Sequence, residues 1–269
     1  MYRRDLIEGL STLARMNLVE KDDLIASVDI GATSIKVARV SADGLLVDEV
    51  RRIDTPYPCT PARLVEVVAE QISLTGCRRA AVGFPGDMEG GRVVEPGNLS
   101  RGGGISTPID PDIDALWVGF DVEAALCSLT GIDVRVVNDA TLAAYGYHRG
   151  RGRELVVTLG TGFGISLFVE GEWRKIRDVG SAPFHDWGSY DEVGGEPARE
   201  ADPELWRRRI LVAVREFVDE FDADSVHVGG GNSRHFTASD FENLSVPVEL
   251  NDNEGTLAGA ARIFYPTSR

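Results

Sequence analysis

The stretch VRVVNDATLAAYGY, Val134 to Tyr147, decides the fold. Val134 to Val137 is a valine-rich run with the composition of a buried strand. Asn138 and Asp139 follow at once, and Ala140, Leu142, Ala143 and Ala144 are strong helix formers. A strand therefore delivers an Asn-Asp pair to the mouth of a helix. Either side chain could satisfy the orphan N–H groups of the first turn. One cap is enough, however, and two adjacent side chains diverge. Three glycine turns elsewhere in the chain favour chemistry over capping alone.

Upstream, LIASVDIGATSIKVARVSADGLLVDEVRRI, from Leu24, reads as strand, glycine turn, strand, Asp-Gly turn and strand, an antiparallel meander. PARLVEVVAEQISLTG is an amphipathic helix with Pro61 near its first turn and Gly76 at its end. RRAAVGFPG is a strand running into a glycine loop, EGGRVVEPGNLSRGGG reads as loop, and FDVEAALCSLTG as the next helix. Downstream the scheme repeats. ELVVTLGTGFGISLFVEGEWRKI is again strand, glycine turn, strand, Glu-Gly turn and strand, with glycines at nearly the offsets of SVDIGATSIKVARVSADGLLVDEV. A loop from Asp178 to Ala201, a long helix PELWRRRILVAVREFVDEF, a strand DSVHVGGGNS ending in three glycines and a small-residue helix NDNEGTLAGAARIF complete the chain.

Two βββ-helix-β units in tandem predict an α/β protein that arose by duplication, with two similar domains facing across a cleft. The expected boundaries are 24–139 for the first domain and 140–253 for the second, with the helix at 254–264 returning to the first. Leu6, Leu10 and Leu13 predict a short amphipathic helix within 1–23, an appendage to the body or to a partner subunit.

Composition narrows the class. With 269 residues, 43% hydrophobic and 26% charged, the chain is an ordinary globular one. No apolar run approaches the ~20 residues of a membrane helix. The first residues carry acids and lack a continuous apolar core, so they do not read as a signal peptide, and a cytoplasmic protein is expected. A net charge of −15, without a basic face interleaved with aromatics, speaks against nucleic acid as a partner. Cys59, Cys77 and Cys127 are far apart, suit reduced thiols and match no zinc spacing.

Taken together, DIGATSIK, GFPG with a downstream Asn98, VVNDATLAAYGY, VTLGTGFGISLFVEG, HVGGGNS and NEGTLAGAA resemble the actin, hexokinase and 70-kDa heat-shock ATPase superfamily. More narrowly they resemble the ROK sugar kinases (repressor, open reading frame, kinase), and within these the polyphosphate glucokinases. The resemblance runs in order from about Leu24 to Phe264. It implies two ribonuclease H-like domains, the actin-like ATPase fold, around a central cleft.

The resemblance also implies roles. Gly31 and Thr33 in the first glycine turn, and Gly160, Thr161 and Gly162 in the second, would hold the phosphates of ATP or of an inorganic polyphosphate, because glycine lets backbone N–H groups approach an anion. A turn of this kind can equally be a plain hairpin. Asp29 would hold Mg²⁺ through water; the competing reading is an Asp that only forms a turn. Gly229, Gly230 and Gly231 would lie against adenine and ribose. Asp139 would be the catalytic base toward a hydroxyl of a hexose or related polyol. Asn138 and Asn98 would recognise sugar hydroxyls, with Gly83 and Gly86 bringing loop backbone against the sugar. Lys36 recurs in polyphosphate glucokinases, but a strand lysine is often solvated, and no role is given to it. A homodimer is expected.

Departures from the family lie on the sugar side. Where most ROK kinases carry Glu-x-Gly-His, this chain reads Asp178-Val179-Gly180-Ser181, so Asp178 and Ser181 become the expected sugar contacts. Polyphosphate glucokinases have an acid where Pro183 stands here, and Ala32 replaces a glycine of the first turn, which requires a negative φ. The family's cysteine-rich zinc motif is absent, and no structural zinc is expected. The main expectation is a kinase of a hexose or polyol; the alternative is a catalytically weak sugar-binding or regulatory protein of the same fold.

Overall fold

The computed structural model describes residues 24–265, apart from 105, 161, 175, 177, 178, 181, 252 and 253. The N-terminal helix expected within 1–23 lies outside the described residues. The chain divides into two compact units between Val137 and Asn138.

In the first unit, β1 (Ile25–Ile30), β2 (Ser34–Val40) and β3 (Arg51–Asp54) form the meander, and α1 (Pro61–Thr75) follows. Thr60 caps α1, Pro61 opens it, and Gly76 closes it at φ 69°, a left-handed position natural to glycine. Then come β4 (Arg79–Phe84), a hairpin of β5 (Asp87–Glu89) and β6 (Arg92–Glu95), the helices α2 (Pro111–Trp117) and α3 (Val122–Thr130), and β7 (Asp133–Asn138). The sheet order is β3-β2-β1-β4-β7. β1 is antiparallel to β2 and parallel to β4, and every residue of β1 is buried. Its apolar side chains join Leu64, Val68, Ile72, Phe84, Trp117 and Leu126 in one core.

The β5–β6 hairpin corrects the sequence reading, which left this span as loop. Gly90 and Gly91 both have positive φ (56° and 79°) and make the two-residue turn that joins paired strands. The glycines that suggested a loop, Gly90 and Gly91, are the hairpin's turn.

The second unit starts with α4 (Asp139–Tyr147) and continues with β8 (Arg153–Leu159), β9 (Phe163–Val169) and β10 (Glu172–Arg174). Glu170 and Gly171, at φ 52° and 79°, form the same kind of turn between β9 and β10. The region expected as loop up to Ala201 contains two short helices, α5 (Tyr190–Gly194) and α6 (Glu196–Ala201). α7 (Pro203–Phe221) is capped by Asp202 and buries Trp206, Ile210, Ala213, Val214, Phe217 and Val218 on one face. Each large side chain on that stripe contributes about 1.5–3 kcal/mol when removed from water. β11 (Ser225–Gly229), β12 (Val248–Leu250) and α8 (Glu254–Phe264) complete the unit. Its sheet order is β10-β9-β8-β11-β12, strand for strand the arrangement of the first.

α8 packs on α4 at glycines. A methyl group on Gly146 would lie 1.8 Å from the Gly255 carbonyl oxygen, and one on Gly259 would lie 1.9 Å from that of Leu142. Arg262 of α8 donates to the Tyr145 carbonyl at 2.9 Å and also to that of His148, serving orphan acceptors at the end of α4. No described helix is long and apolar enough to cross a membrane.

Candidate functional site

In the first unit, β1 carries Asp29 to its C-terminal end, 8% exposed. Asp29 faces Lys36 on β2 and Gly83 on β4 in the sheet register. The Lys36 ammonium donates to Asp29 Oδ2 at 2.6 Å, so a lysine expected to be solvated is in direct contact with the expected metal ligand. The following turn is tight: Gly31 N–H donates to the Ser34 carbonyl at 3.0 Å, and the Thr55 hydroxyl donates to the Gly31 carbonyl at 2.6 Å. Thr33 accepts Thr55 N–H through its carbonyl at 3.1 Å and is exposed. Ala32 is not among the described residues with positive φ, as its side chain requires.

Tyr57, which sequence reasoning missed, ties this turn to the next element. Its hydroxyl donates to the Ala32 carbonyl at 2.8 Å and approaches the Asn98 carbonyl at 3.3 Å. Arg101 donates through Nε to Asn98 Oδ1 at 2.8 Å. Asn98 therefore sits beside the first glycine turn with its amide oxygen engaged. Gly86 has a packing reason to be glycine, since a methyl there would lie 2.2 Å from the Glu95 carbonyl oxygen.

In the second unit, Asn138 caps α4, its Oδ1 accepting from Ala140 N–H at 2.9 Å and Thr141 N–H at 3.2 Å. Asp139 is the first helical residue, and its Oδ1 accepts from Ala140 N–H at 2.7 Å. Capping is thus Asn138's work, and Asp139 adds a negative charge at the positive end of the helix dipole. Tyr147 at the other end of α4 is fully buried; Gly230 N–H donates to its hydroxyl at 3.4 Å.

The second glycine turn joins β8 to β9. Gly160 N–H donates to the Gly162 carbonyl at 3.1 Å, and Phe163 N–H donates to Asp191 Oδ1 at 2.7 Å. Neither Gly160 nor Gly162 has positive φ. Among the described residues a methyl on Gly160 would meet nothing within 4 Å, so this glycine leaves open space above its backbone. Asn232, 3% exposed, donates to the Gly160 carbonyl at 3.1 Å and to Glu196 at 2.6 Å, linking this turn to the triglycine segment. The Arg199 guanidinium and the Asn232 amide outweigh burial and hold the Glu196 carboxyl at about 2. Gly229 packs on the Tyr147 ring, and Gly230, at φ 86°, packs on the Leu159 backbone; Gly231 is half-buried. Thr161, Asp178 and Ser181 lie outside the described residues.

Each unit thus gathers its own set: Asp29, the first turn, Gly83 and Asn98 in one; Asn138, Asp139, the second turn and the triglycine in the other. Of the residues without an assigned role, Tyr57, Asp191 and Asn232 touch these turns, and Lys36 touches Asp29 beside the first. Lys36 alone had a sequence signal, its recurrence at the matching place in the polyphosphate glucokinases that the chain resembles.

Two sheets of the same order, each with its meander followed by crossovers, make this an actin-like ATPase fold built of two ribonuclease H-like domains. The ROK family model matches residues 25–177, and the chain belongs to the ROK family. It is 26% identical over 227 residues to a polyphosphate glucokinase of Mycobacterium tuberculosis, covering 77% of each chain. Among solved structures, an inorganic polyphosphate/ATP-glucomannokinase from Arthrobacter is similar with a TM-score of 0.72 and 26% identity, over 89% of this chain and 97% of that one. A ROK glucokinase from Streptomyces griseus, solved with glucose and AMPPNP, is similar in fold at a TM-score of 0.68 and 18% identity, over 89% and 98%.

Proposed function

We propose that this protein is a sugar kinase that transfers the terminal phosphoryl group of ATP to a hydroxyl of a hexose or related polyol. The observation that carries the reading is the second glycine turn. Gly160 has neither a left-handed φ nor, among the described residues, a neighbour that forbids a side chain; its own N–H is engaged by the Gly162 carbonyl, so the open space over it supports close approach of a ligand to the turn. In a ROK chain with kinase relatives, that ligand is the donor phosphate. Gly162 and Thr161 belong to the same turn, Gly31 and Thr33 to the matching one, and Gly229 to Gly231 back the nucleoside.

Asp139 accepts the proton of the attacking hydroxyl while its oxygen bonds to the terminal phosphorus and the bond to the leaving phosphate breaks. Asn138, Asn98, Gly83, Gly86, Asp178 and Ser181 form the sugar side, with the Asn98 NH₂ as its donor because Arg101 takes the amide oxygen. Among the described residues no three His, Cys, Asp or Glu side chains are arranged to hold a metal by themselves. Asp29, whose Oδ2 accepts from Lys36, is the one carboxylate that would hold Mg²⁺, with donor phosphates and water as its other ligands. When bound, the ion supplies charge neutralisation on the phosphates.

ATP is preferred to polyphosphate as donor because four of the six arginines that could form a polyanion track, Arg149, Arg151 and Arg153 after the Asn-Asp helix and Arg207, Arg208 and Arg209 on α7, are engaged. Arg149 pairs with Glu249, Arg153 donates to the Phe221 carbonyl, Arg207 pairs with Asp240 and Arg209 stacks over Trp187. A −15 protein offers a long polyanion little else.

The test crosses hexoses, inositols and amino sugars with ATP-Mg²⁺ and polyphosphate, and repeats the best pair with Asp139→Asn. Removal of a general base is expected to cost about 10²–10⁴-fold in kcat. An Asp139→Asn protein with wild-type kcat refutes the base. Turnover with polyphosphate and none with ATP refutes the donor preference, and a sugar that raises Tm without any product supports the binding-protein alternative.

A further inference from the structure

Asp191 stands apart from the residues that the reaction needs, yet it grips the turn that the reading assigns to the donor. It is the second residue of the short helix α5, held there by the Ser189–Glu192 capping box. Its Oδ1 accepts Phe163 N–H at 2.7 Å. The same carboxylate fills the space above two glycines. A methyl on Gly162 would lie 2.4 Å from Oδ1, and one on Gly180 would lie 2.6 Å from Oδ2. The backbone makes a further tie, Asp191 N–H donating to the Gly180 carbonyl at 2.9 Å. One side chain thus bears on the β8–β9 turn and on the segment at Gly180, which lie far apart in sequence.

This arrangement explains why Gly162 and Gly180 are glycines when neither needs a left-handed φ. Each yields its side-chain volume to the carboxylate. It also divides the N–H groups of the turn. Those of Gly160 and Phe163 are spent inside the protein. A carboxylate on Phe163 N–H would repel a phosphate if it stood in the phosphate's place, so its use must lie in holding the turn's shape.

We infer that Asp191 is a positioning residue for the phosphoryl donor: by accepting Phe163 N–H and seating Gly162, it preforms the second glycine turn for the donor phosphates. The inference rests on the kinase reading above. A merely structural carboxylate would lower stability alone, whereas a positioning one changes how the donor is bound and leaves the acceptor alone.

The experiment measures donor and acceptor KM on the full chain, using ATP-Mg²⁺ and the best acceptor from the panel, together with binding of AMPPNP-Mg²⁺ by calorimetry. Asp191→Ala removes the acceptor for Phe163 N–H and is expected to raise donor KM and the AMPPNP Kd about tenfold or more, the loss typical of a hydrogen bond to a charged group. The acceptor KM should change less than about twofold, because the tie to the segment of Asp178 and Ser181 that Asp191 makes through its backbone N–H, to the Gly180 carbonyl, survives the substitution. Asp191→Asn keeps an accepting oxygen and should restore donor KM to within about threefold of wild type, a neutral bond being weaker than a charged one.

A second pair guards against a folding defect. Gly162→Ala should damage donor binding in the wild-type background and damage it less in Asp191→Ala, where the space is vacated, so the two changes are non-additive. Additive effects, or donor and acceptor KM rising together in Asp191→Ala, overturn the inference while the kinase reading stands. Wild-type protein that neither binds AMPPNP nor phosphorylates any acceptor overturns both.

Discussion

Lys36 shows how a single residue changes meaning once its neighbour is known. On a half-buried strand a lysine usually reaches water. Here the register of the first hairpin sets it opposite Asp29, and the ammonium lies 2.6 Å from Oδ2. An aspartate at a strand end can rotate; this one is held, with one oxygen engaged. Lys36→Met keeps the aliphatic stem and removes the contact. Its kcat/KM for ATP-Mg²⁺ should fall by about tenfold or more, the loss expected for a charge-assisted hydrogen bond. Steady-state kinetics at several Mg²⁺ concentrations would check this, and an unchanged kcat/KM at all of them would leave Lys36 as a strand lysine. The pairing could not be read from a spacing of seven residues alone, because it depends on the register that the glycine turn sets.

At the scale of elements, two kinds of glycine have to be told apart. Gly259 faces the Leu142 carbonyl so closely that a methyl would sit 1.9 Å away, against backbone that cannot rotate aside. Gly160 faces open space. Gly259→Ala should therefore separate α4 from α8 and cost about 1–3 kcal/mol or more, as overpacking does. Calorimetry should show Tm lower by several degrees, at about 2–4 °C per kcal/mol for a chain of this size. Gly160→Ala should keep Tm and raise donor KM. The reverse pattern would exchange their roles. Long elements with clear periodicity were legible in the sequence: both meanders, α1, α3, α7 and the Asn-Asp helix all stand where the pattern put them. Short ones were not. α5 and α6 span barely a turn or two, and β12 has three residues, too few to show a period. Asp191 and Asn232 were invisible for another reason, since their contacts with the second turn are made by tertiary packing and leave no local mark.

The molecule as a whole carries a net charge of −15, and its second unit also buries ionisable groups. Glu154 and His148 are each 1% exposed and His227 is 2% exposed. Burial alone would raise the Glu154 carboxyl. The His227 ring at 3.0 Å and the N–H groups of Arg149, Gly150 and Arg151 outweigh it and hold that carboxyl well below the usual range. His148 Nδ1 is 3.8 Å from Glu154, beyond hydrogen-bond range, and both its ring nitrogens lack partners among the described residues. Its ring stacks on Phe168 at 4.1 Å, and burial, with Arg262 and His227 nearby, lowers its pKa despite Glu154. A histidine lowered in the folded state takes up its proton first in the unfolded chain. Stability is then full above the unfolded value of about 6.5 and falls as pH drops below it, by up to about 1.4 kcal/mol per pH unit for one proton. Glu154 acts with the same sign in a lower window: its contribution is present above about 4.3 and is lost as pH falls further. The thermal midpoint should therefore be flat from pH 8 to about 7, decline below about 6.5, and decline again below about 4.5. His148→Phe keeps an aromatic ring against Phe168 and removes the titrating nitrogens. It should abolish the first decline and keep the second. If both proteins lose stability equally between about pH 6.5 and 5, the buried His148 ring is not the group that titrates there.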